Sequence, residues 1–346
     1  MIKIQIHRIQ IIRRTMKSTI DEFDIDEFRS RVLDTYFGGL DICVYDIETT
    51  GLFPRNDRIM LTGLLTVSGG KARAEQFFAE SLNDEKAVLE ATIEVLKQAD
   101  VVLTYNGRSF DMPFTQTRAA KYGLQSDIPY DLDLFTVLSG YSEIKKFTGS
   151  LSQKSIEKFM GIAPERDDRI DGRESIRLYE QYLTAPSYAL EKTIMLHNHD
   201  DICQLYRILP VVKQTDFHRA MSRTGFPAGR FIVRSSRITS GGLYVTAVQQ
   251  KDPRDYISFP TEDAPYSLRM SSADRSAELD VPGETVGDGA VVIDARTILE
   301  DLPDDEMKEL EQYPAFESGY LILKNGSQVN YLETNLFIKK FFSLLG

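Results

Sequence analysis

An α/β domain, built as a mixed sheet covered by helices and followed by a β-rich C-terminal domain, is the fold class this sequence predicts. Three observations lead there. Strand-like and helix-like stretches alternate between Asp41 and about Leu209. From about Asp216 the chain becomes rich in strand residues separated by Gly, Asn and Ser turns. Its 346 residues also exceed what one hydrophobic core usually organises, so two domains are expected. We divide the chain into a basic leading segment (1–39), an α/β domain (40–212) and a β-rich domain (213–346) that ends in a helix.

The leading segment opens "MIKIQIHRIQIIRRTMKS", with five Lys or Arg and no acid, which suits a targeting or nucleic-acid-binding arm. Its isoleucines at 2, 4 and 6 alternate as in a strand, and no small-residue cleavage site follows, which disfavours an export signal. Met16 is a second candidate start, which would make the arm a loose extension. In the α/β domain, "DICVYDIET" is a short apolar run ending in acids, and "DRIMLTGLLTV", "ARAEQFFAE" and "VVLTYN" are the next strand candidates. Between the last two, "NDEKAVLEATIEVLKQA" reads as a helix capped by Asn83, with Val88, Ala91, Val95 and Ala99 at helical spacing. Beyond Asn106 the pattern is helical over 110–122, 131–139, 151–160, 173–184 and 187–209. The C-terminal third offers strands in "RFIVRSSRITSGGLYVTAVQQ", "DYISFPT", "YSLRMSS", "GAVVIDA" and "SGYLILKNGSQVNYL", then an amphipathic helix in "ETNLFIKKFFSLL".

Composition narrows the function. The net charge of −11 argues against a mainly electrostatic nucleic-acid binder, although cations held between carboxylates and phosphates remove that objection. Cys43 and Cys203 form neither a disulfide framework nor a zinc site, so reduced, structural thiols in a cytoplasmic protein are expected. No apolar run is long enough to cross a bilayer, and no membrane partner is expected. No GxGxxG follows the first strand, which disfavours a Rossmann nucleotide enzyme.

Three stretches carry candidate chemistry. In "YDIETTGL", Asp46 and Glu48 are two apart on a strand and share a face, while Ile47 turns the other way. Alone they are an acidic strand end, but Thr49, Thr50 and Gly51 add hydroxyls and a flexible backbone suited to a sugar-phosphate. In "YNGRSFDMPF", Asp111 enters a helix, where a first-turn acid is ordinary. In "LHNHDDI", His197 and Asp201 are four apart on one helical face, with Asp200 close to that face and His199 pointing elsewhere. A solvated His-Asp pair is the bland alternative.

Taken together, the three stretches resemble the RNase H-like DEDD exonuclease pattern, most closely the YprB-type family of DnaQ-like 3′-to-5′ exonucleases. "SLSQKSIEKFMGI" and "RIDGRESIRLYEQYL" support the likeness, which covers roughly residues 40–210. The histidine stands where the tyrosine-containing DEDD branch has tyrosine. The resemblance implies an exonuclease using two divalent ions, Mg²⁺ or Mn²⁺, roughly 4 Å apart. Asp46 would bridge the ions, Glu48 and Asp201 would hold the one nearer the nucleophile, and Asp111 would support the other. His197 would accept a proton from the attacking water, and His199 would be a surface or supporting residue. Thr49, Gly51, Leu52, Asn106 and Phe110 would line the terminal nucleotide of a single-stranded 3′ end, DNA and RNA alike remaining open. A noncatalytic RNase H-like module that binds nucleic acid or protein is the alternative. Residues 216–240 add Arg219, Arg223, Arg230, Arg234 and Arg237 interleaved with Phe217, Phe226 and Phe231, readable as a single-strand platform or as solvated arginines over a phenylalanine core.

Overall fold

The computed structural model describes residues 9–13, 16–126, 129–162, 170–287 and 289–345. The alternating isoleucines 2, 4 and 6 lie outside them. The chain forms two compact units, residues 1–30 with 39–215, and residues 31–38 with 216–346. Residues 31–38, expected in the leading segment, thus group with the C-terminal unit.

The elements up to residue 208 are β1 (Ile9–Arg13), β2 (Met16–Asp24), α1 (Arg31–Phe37), β3 (Ile42–Thr49), β4 (Ile59–Ser68), β5 (Lys71–Phe78), α2 (Glu85–Leu96), β6 (Val101–Thr104), α3 (Asp111–Lys121), β7 (Tyr130–Asp133), α4 (Leu134–Tyr141), α5 (Ile144–Thr148), α6 (Gln153–Met160), α7 (Gly172–Thr184) and α8 (Tyr188–Ile208). The first unit holds one sheet in the order β1-β2-β5-β4-β3-β6-β7. β3, β6 and β7 run parallel and the remaining pairs antiparallel. From Met16 on, the leading segment joins the sheet: β2 pairs with β5 from Lys17–Phe78 to Asp24–Lys71, and Met16 is buried in the core.

β3 lies inside the sheet because helices cover it on both sides. Cys43, Tyr45 and Ile47 pack with Val88, Leu89 and Phe114 of α2 and α3. Asp46 and Glu48, on the opposite side of the strand, meet α8. A second cluster joins Met60, Leu61 and Phe78 of the sheet to Tyr179, Tyr182, Ile194 and Met195 of α7 and α8. In α2, Val88, Leu89, Ile93 and Leu96 are buried. At about 1.5–3 kcal/mol per buried side chain, they outweigh the few tenths by which β-branched residues disfavour a helix.

Two local expectations are corrected. Asn83 does not cap α2; Ser81 opens a 3₁₀ turn there, its Oγ accepting from Asn83 N and its own N–H donating to Asp84 Oδ2 at 2.8 Å. Residues 130–133 are the edge strand β7, not helix, because Asp133 caps α4 by accepting from Phe135 N at 3.0 Å and holds the helix start to Leu134.

The second unit contains a six-stranded antiparallel sheet, from Phe226–Ala228 to Ser276–Pro282, and a four-stranded one, from Glu284–Val286 to Gln328–Val329. Helices Phe217–Thr224 and Tyr331–Leu344 pack with them; the first, like Asp304–Glu311, was not expected. Here α1 buries Leu33, Tyr36 and Phe37. The Tyr36 ring lies against Phe217 and Phe226, its hydroxyl meets His218 Nδ1 at 2.8 Å, and Asn335 Nδ2 donates to it. Phe217, Phe226 and Phe231 are all core residues, so the reading of them as base-stacking platforms fails. Arg219, Arg223, Arg234 and Arg237 are exposed over that core.

Candidate functional site

Strand alternation delivers Asp46 and Glu48 from the end of β3 to the side covered by α8. Asp111 arrives from the first residue of α3, its Oδ1 accepting from Ile47 N at 3.1 Å, so it lies against the same strand end. From α8, His197 places Nε2 at 3.5 Å from both Glu48 Oε1 and Asp201 Oδ2. Ligand atoms of Glu48, His197 and Asp201 all lie within 4.8 Å of one another. Of the two neighbouring aspartates, Asp201 meets His197, whereas Asp200 Oδ1 lies 3.9 Å from His199 Nδ1.

The electrostatics are those of acids forced together. Burial pushes the Asp46 carboxyl well above the ordinary range, and Asp111, Asp201 and Glu48 push it further; a hydrogen bond from Asn198 works the other way. Asp111 is pushed up to about 7, first by burial and partly by Asp131 and Asp133, while amide hydrogen bonds, including that from Ile47, pull it down. Asp131 also rises to about 7 through burial, with Thr104 opposing.

His199 is not a surface residue. Burial pulls its pKa down, but the carboxylates of Asp200 and of Asp21 on β2 outweigh this and push it up to about 11. It ties β2 to α8 as a structural cation.

The residues expected to line a nucleotide differ in what they present. Thr49 is buried, its Oγ1 donating to Gly51 O at 2.6 Å, while Leu52 and Phe53 just beyond are 68% and 69% exposed. At Gly51 a Cβ would stand 2.4 Å from Asp57 Oδ2, so a side chain there would displace the Asp57 carboxylate. Asn106 adopts a left-handed backbone (φ 66°), its N–H donating to Asp133 Oδ1 at 2.7 Å. Phe110 packs on Phe114 and the α2–α3 core, so much of its ring is turned inward.

Sequence reasoning assigned no role to Asn198, Gln76 and Gly63. Asn198 Nδ2 donates to Asp46 Oδ2 at 2.8 Å, and Asn198 Oδ1 accepts from Gln76 Nε2 at 2.8 Å. Asp46, Gly63 and Gln76 lie side by side across β3, β4 and β5. A lone glycine inside the apolar strand "LTGLL" was the available signal, because it marks close approach of another group.

The donor set fits hard divalent cations: oxygen ligands from buried carboxylates that raise one another's pKa and gain from positive charge between them. Zinc, which favours more nitrogen or sulfur, suits it less.

Residues 43–212 match a family model described as RNase_H superfamily. A stretch of 111 residues, 31% of this chain, is 31% identical to a DNA polymerase of Methanocaldococcus jannaschii and spans 7% of it. The structure of the family B DNA polymerase from the hyperthermophilic archaeon Pyrobaculum calidifontis aligns with 88% of this chain and 46% of that chain, at a TM-score of 0.42 and 14% identity. The chain thus spans less than half the length of either polymerase. The match over 43–212, together with the mixed sheet flanked by helices, assigns the first unit an RNase H-like fold.

Proposed function

We propose that this chain is a 3′-to-5′ exonuclease of the YprB-type DEDD branch that removes nucleotides from single-stranded nucleic-acid ends with two divalent cations, Mg²⁺ or Mn²⁺. The observation that carries the reading is the meeting of residues from three distant segments at one strand end, where His197 Nε2 stands 3.5 Å from both Glu48 and Asp201. Asp46, Glu48, Asp111 and Asp201 would hold the cations. When bound, these ions supply a water of lowered pKa and stabilise charge on the phosphate and the leaving oxygen.

The remaining work falls to the protein. His197 accepts the proton of the attacking water at Nε2, and Glu48 and Asp201 beside that nitrogen stabilise the imidazolium so formed. Burial of Glu48, Asp111 and His197 at 4–6% exposure limits competing water. Leu52 and Phe53 offer apolar surface for the terminal base, and the backbone around Thr49 and Gly51 allows close approach of its sugar. Asn106 and Phe110 stand on the loop entering α3.

The test is a purified full chain, Mn²⁺ and an end-labelled single strand. Stepwise shortening from the 3′ end, abolished by Asp46→Ala, is expected. Shortening that survives Asp46→Ala refutes the assignment; binding without hydrolysis in any divalent metal converts the reading to a noncatalytic module.

A further inference from the structure

We infer that Asn198, held by Gln76 and admitted by Gly63, is a positioning residue that fixes the direction in which the Asp46 carboxylate faces. The inference rests on the cation-dependent reading above for what Asp46 does.

A primary amide has two faces of opposite character, and nothing intrinsic to Asn198 decides which one meets Asp46. The decision comes from a main-chain group. Gln76 Nε2 donates to Met195 O at 2.8 Å, and a carbonyl can only accept. That bond sets the nitrogen end of Gln76 toward α8, where its second hydrogen goes to Asn198 Oδ1, also at 2.8 Å. Asn198 must then present its NH₂ to Asp46, which it does at 2.8 Å to Oδ2. The polarity runs in one direction from the α8 backbone to the carboxylate. Asn198 is fully buried, so no solvent can take over either bond. That bond holds the Asp46 carboxylate in one orientation.

Gly63 provides the space. A Cβ there would lie 2.2 Å from Asn198 Oδ1 and 2.9 Å from Nδ2, so any other residue displaces the amide. Because Asp46, Gly63 and Gln76 occupy one row of three adjacent strands, the sheet register itself holds the device together.

The test uses the full chain, titrated with Mn²⁺ without nucleic acid and followed by the electron paramagnetic resonance signal of free Mn²⁺, with circular dichroism melts to verify folding. Asn198→Leu and Gly63→Ala are each expected to weaken Mn²⁺ binding by at least about tenfold, the scale of one hydrogen bond to a charged group. On a labelled strand both should lower kcat with KM unchanged. Gly63→Ala removes no polar atom, so a shared loss isolates the orientation of the amide. If either variant fails to fold, Gln76→Met carries the test: it retains Asn198 but frees its amide, and a smaller loss of Mn²⁺ affinity is expected. Unaltered Mn²⁺ affinity in the folded variants overturns the inference. Weakened Mn²⁺ binding in variants of a protein that hydrolyses nothing would leave the positioning role standing and defeat the exonuclease reading. A wild-type chain that binds no Mn²⁺ overturns both.

Discussion

Replacing Asp111 by Asn should make the cation-free protein more stable while destroying its activity. The side chain is 5% exposed, and its Oδ1 accepts from Ile47 N, a bond the asparagine oxygen preserves. Its carboxyl moves from 3.8 to about 7, chiefly through burial. Between these values the folded protein retains a proton that the unfolded chain has released, so stability falls as pH rises, by about 1.4 kcal/mol per unit. The loss is absent below about pH 4 and complete above about pH 7, reaching on the order of 4 kcal/mol over some three units. Asp111→Asn escapes it. Urea unfolding in EDTA, followed by far-ultraviolet circular dichroism because the chain has no Trp, should show a variant advantage of a few kcal/mol at pH 8 that shrinks toward zero near pH 4. Mn²⁺ should narrow the gap at pH 8, since a ligand at a hundred times its Kd adds about 2.7 kcal/mol to the protein that binds it. A variant less stable at pH 8, or a gap independent of pH, would refute the argument that crowded, buried ionisation costs the site stability.

Other consequences are open to measurement. Arg118 and Glu85 form a buried pair, with Arg118 Nε donating to Glu85 Oε1 at 2.7 Å and Nη1 to Pro54 O at 3.1 Å. Arg118→Met should cost about 3–5 kcal/mol in urea unfolding, raise KM by loosening the Leu52–Phe53 loop, and be partly repaired by Glu85→Gln; a cost under about 1 kcal/mol contradicts the pair's burial. His197→Gln should lower kcat by about 10²–10⁴ with little change in Mn²⁺ affinity; a parallel loss of affinity would identify His197 as a ligand instead of a base. Cys43 and Cys203 are buried free thiols, and burial pushes Cys43 up to about 12. Neither should react with an aromatic disulfide reagent until denaturant is added, and rapid labelling of the native protein would show that the β3 core opens.

Legibility in the sequence followed the range of each signal. β3, β4, β5, α2 and α8 were readable because their apolar periods are long and uninterrupted. β7 was not: four residues, two of them aspartates, carry too little pattern, and the capping role of Asp133 appears only once the helix behind it is placed. Asp46, Glu48, Asp111 and Asp201 were found as candidates from motif spacing. Asn198, noted only as part of a family-like "HN", and Gln76 received no role because an amide becomes informative only when its partner is known, and theirs lies 122 residues away. For His199, helical geometry turned it away from His197 and left a surface or a supporting role open, but gave no sign of Asp21, which meets it from β2. The phenylalanines of 217–231 invited a binding role for which their burial leaves no surface.

The path of the chain through its two units dictates an order of events during synthesis. α1 leaves the ribosome ahead of all of β3–α8, yet its partners are still to be made: Tyr36 meets His218 across 182 residues and Asn335 across 299. Leu33, Tyr36 and Phe37 therefore wait as an apolar handle, without cover, while the RNase H-like unit is being translated. Closing a free loop as long as the second of these costs about 5 kcal/mol in chain entropy, a burden that falls if the intervening unit has already collapsed. Prior folding of the first unit thus eases completion of the C-terminal one, and α1 is the segment a chaperone would find bare in between.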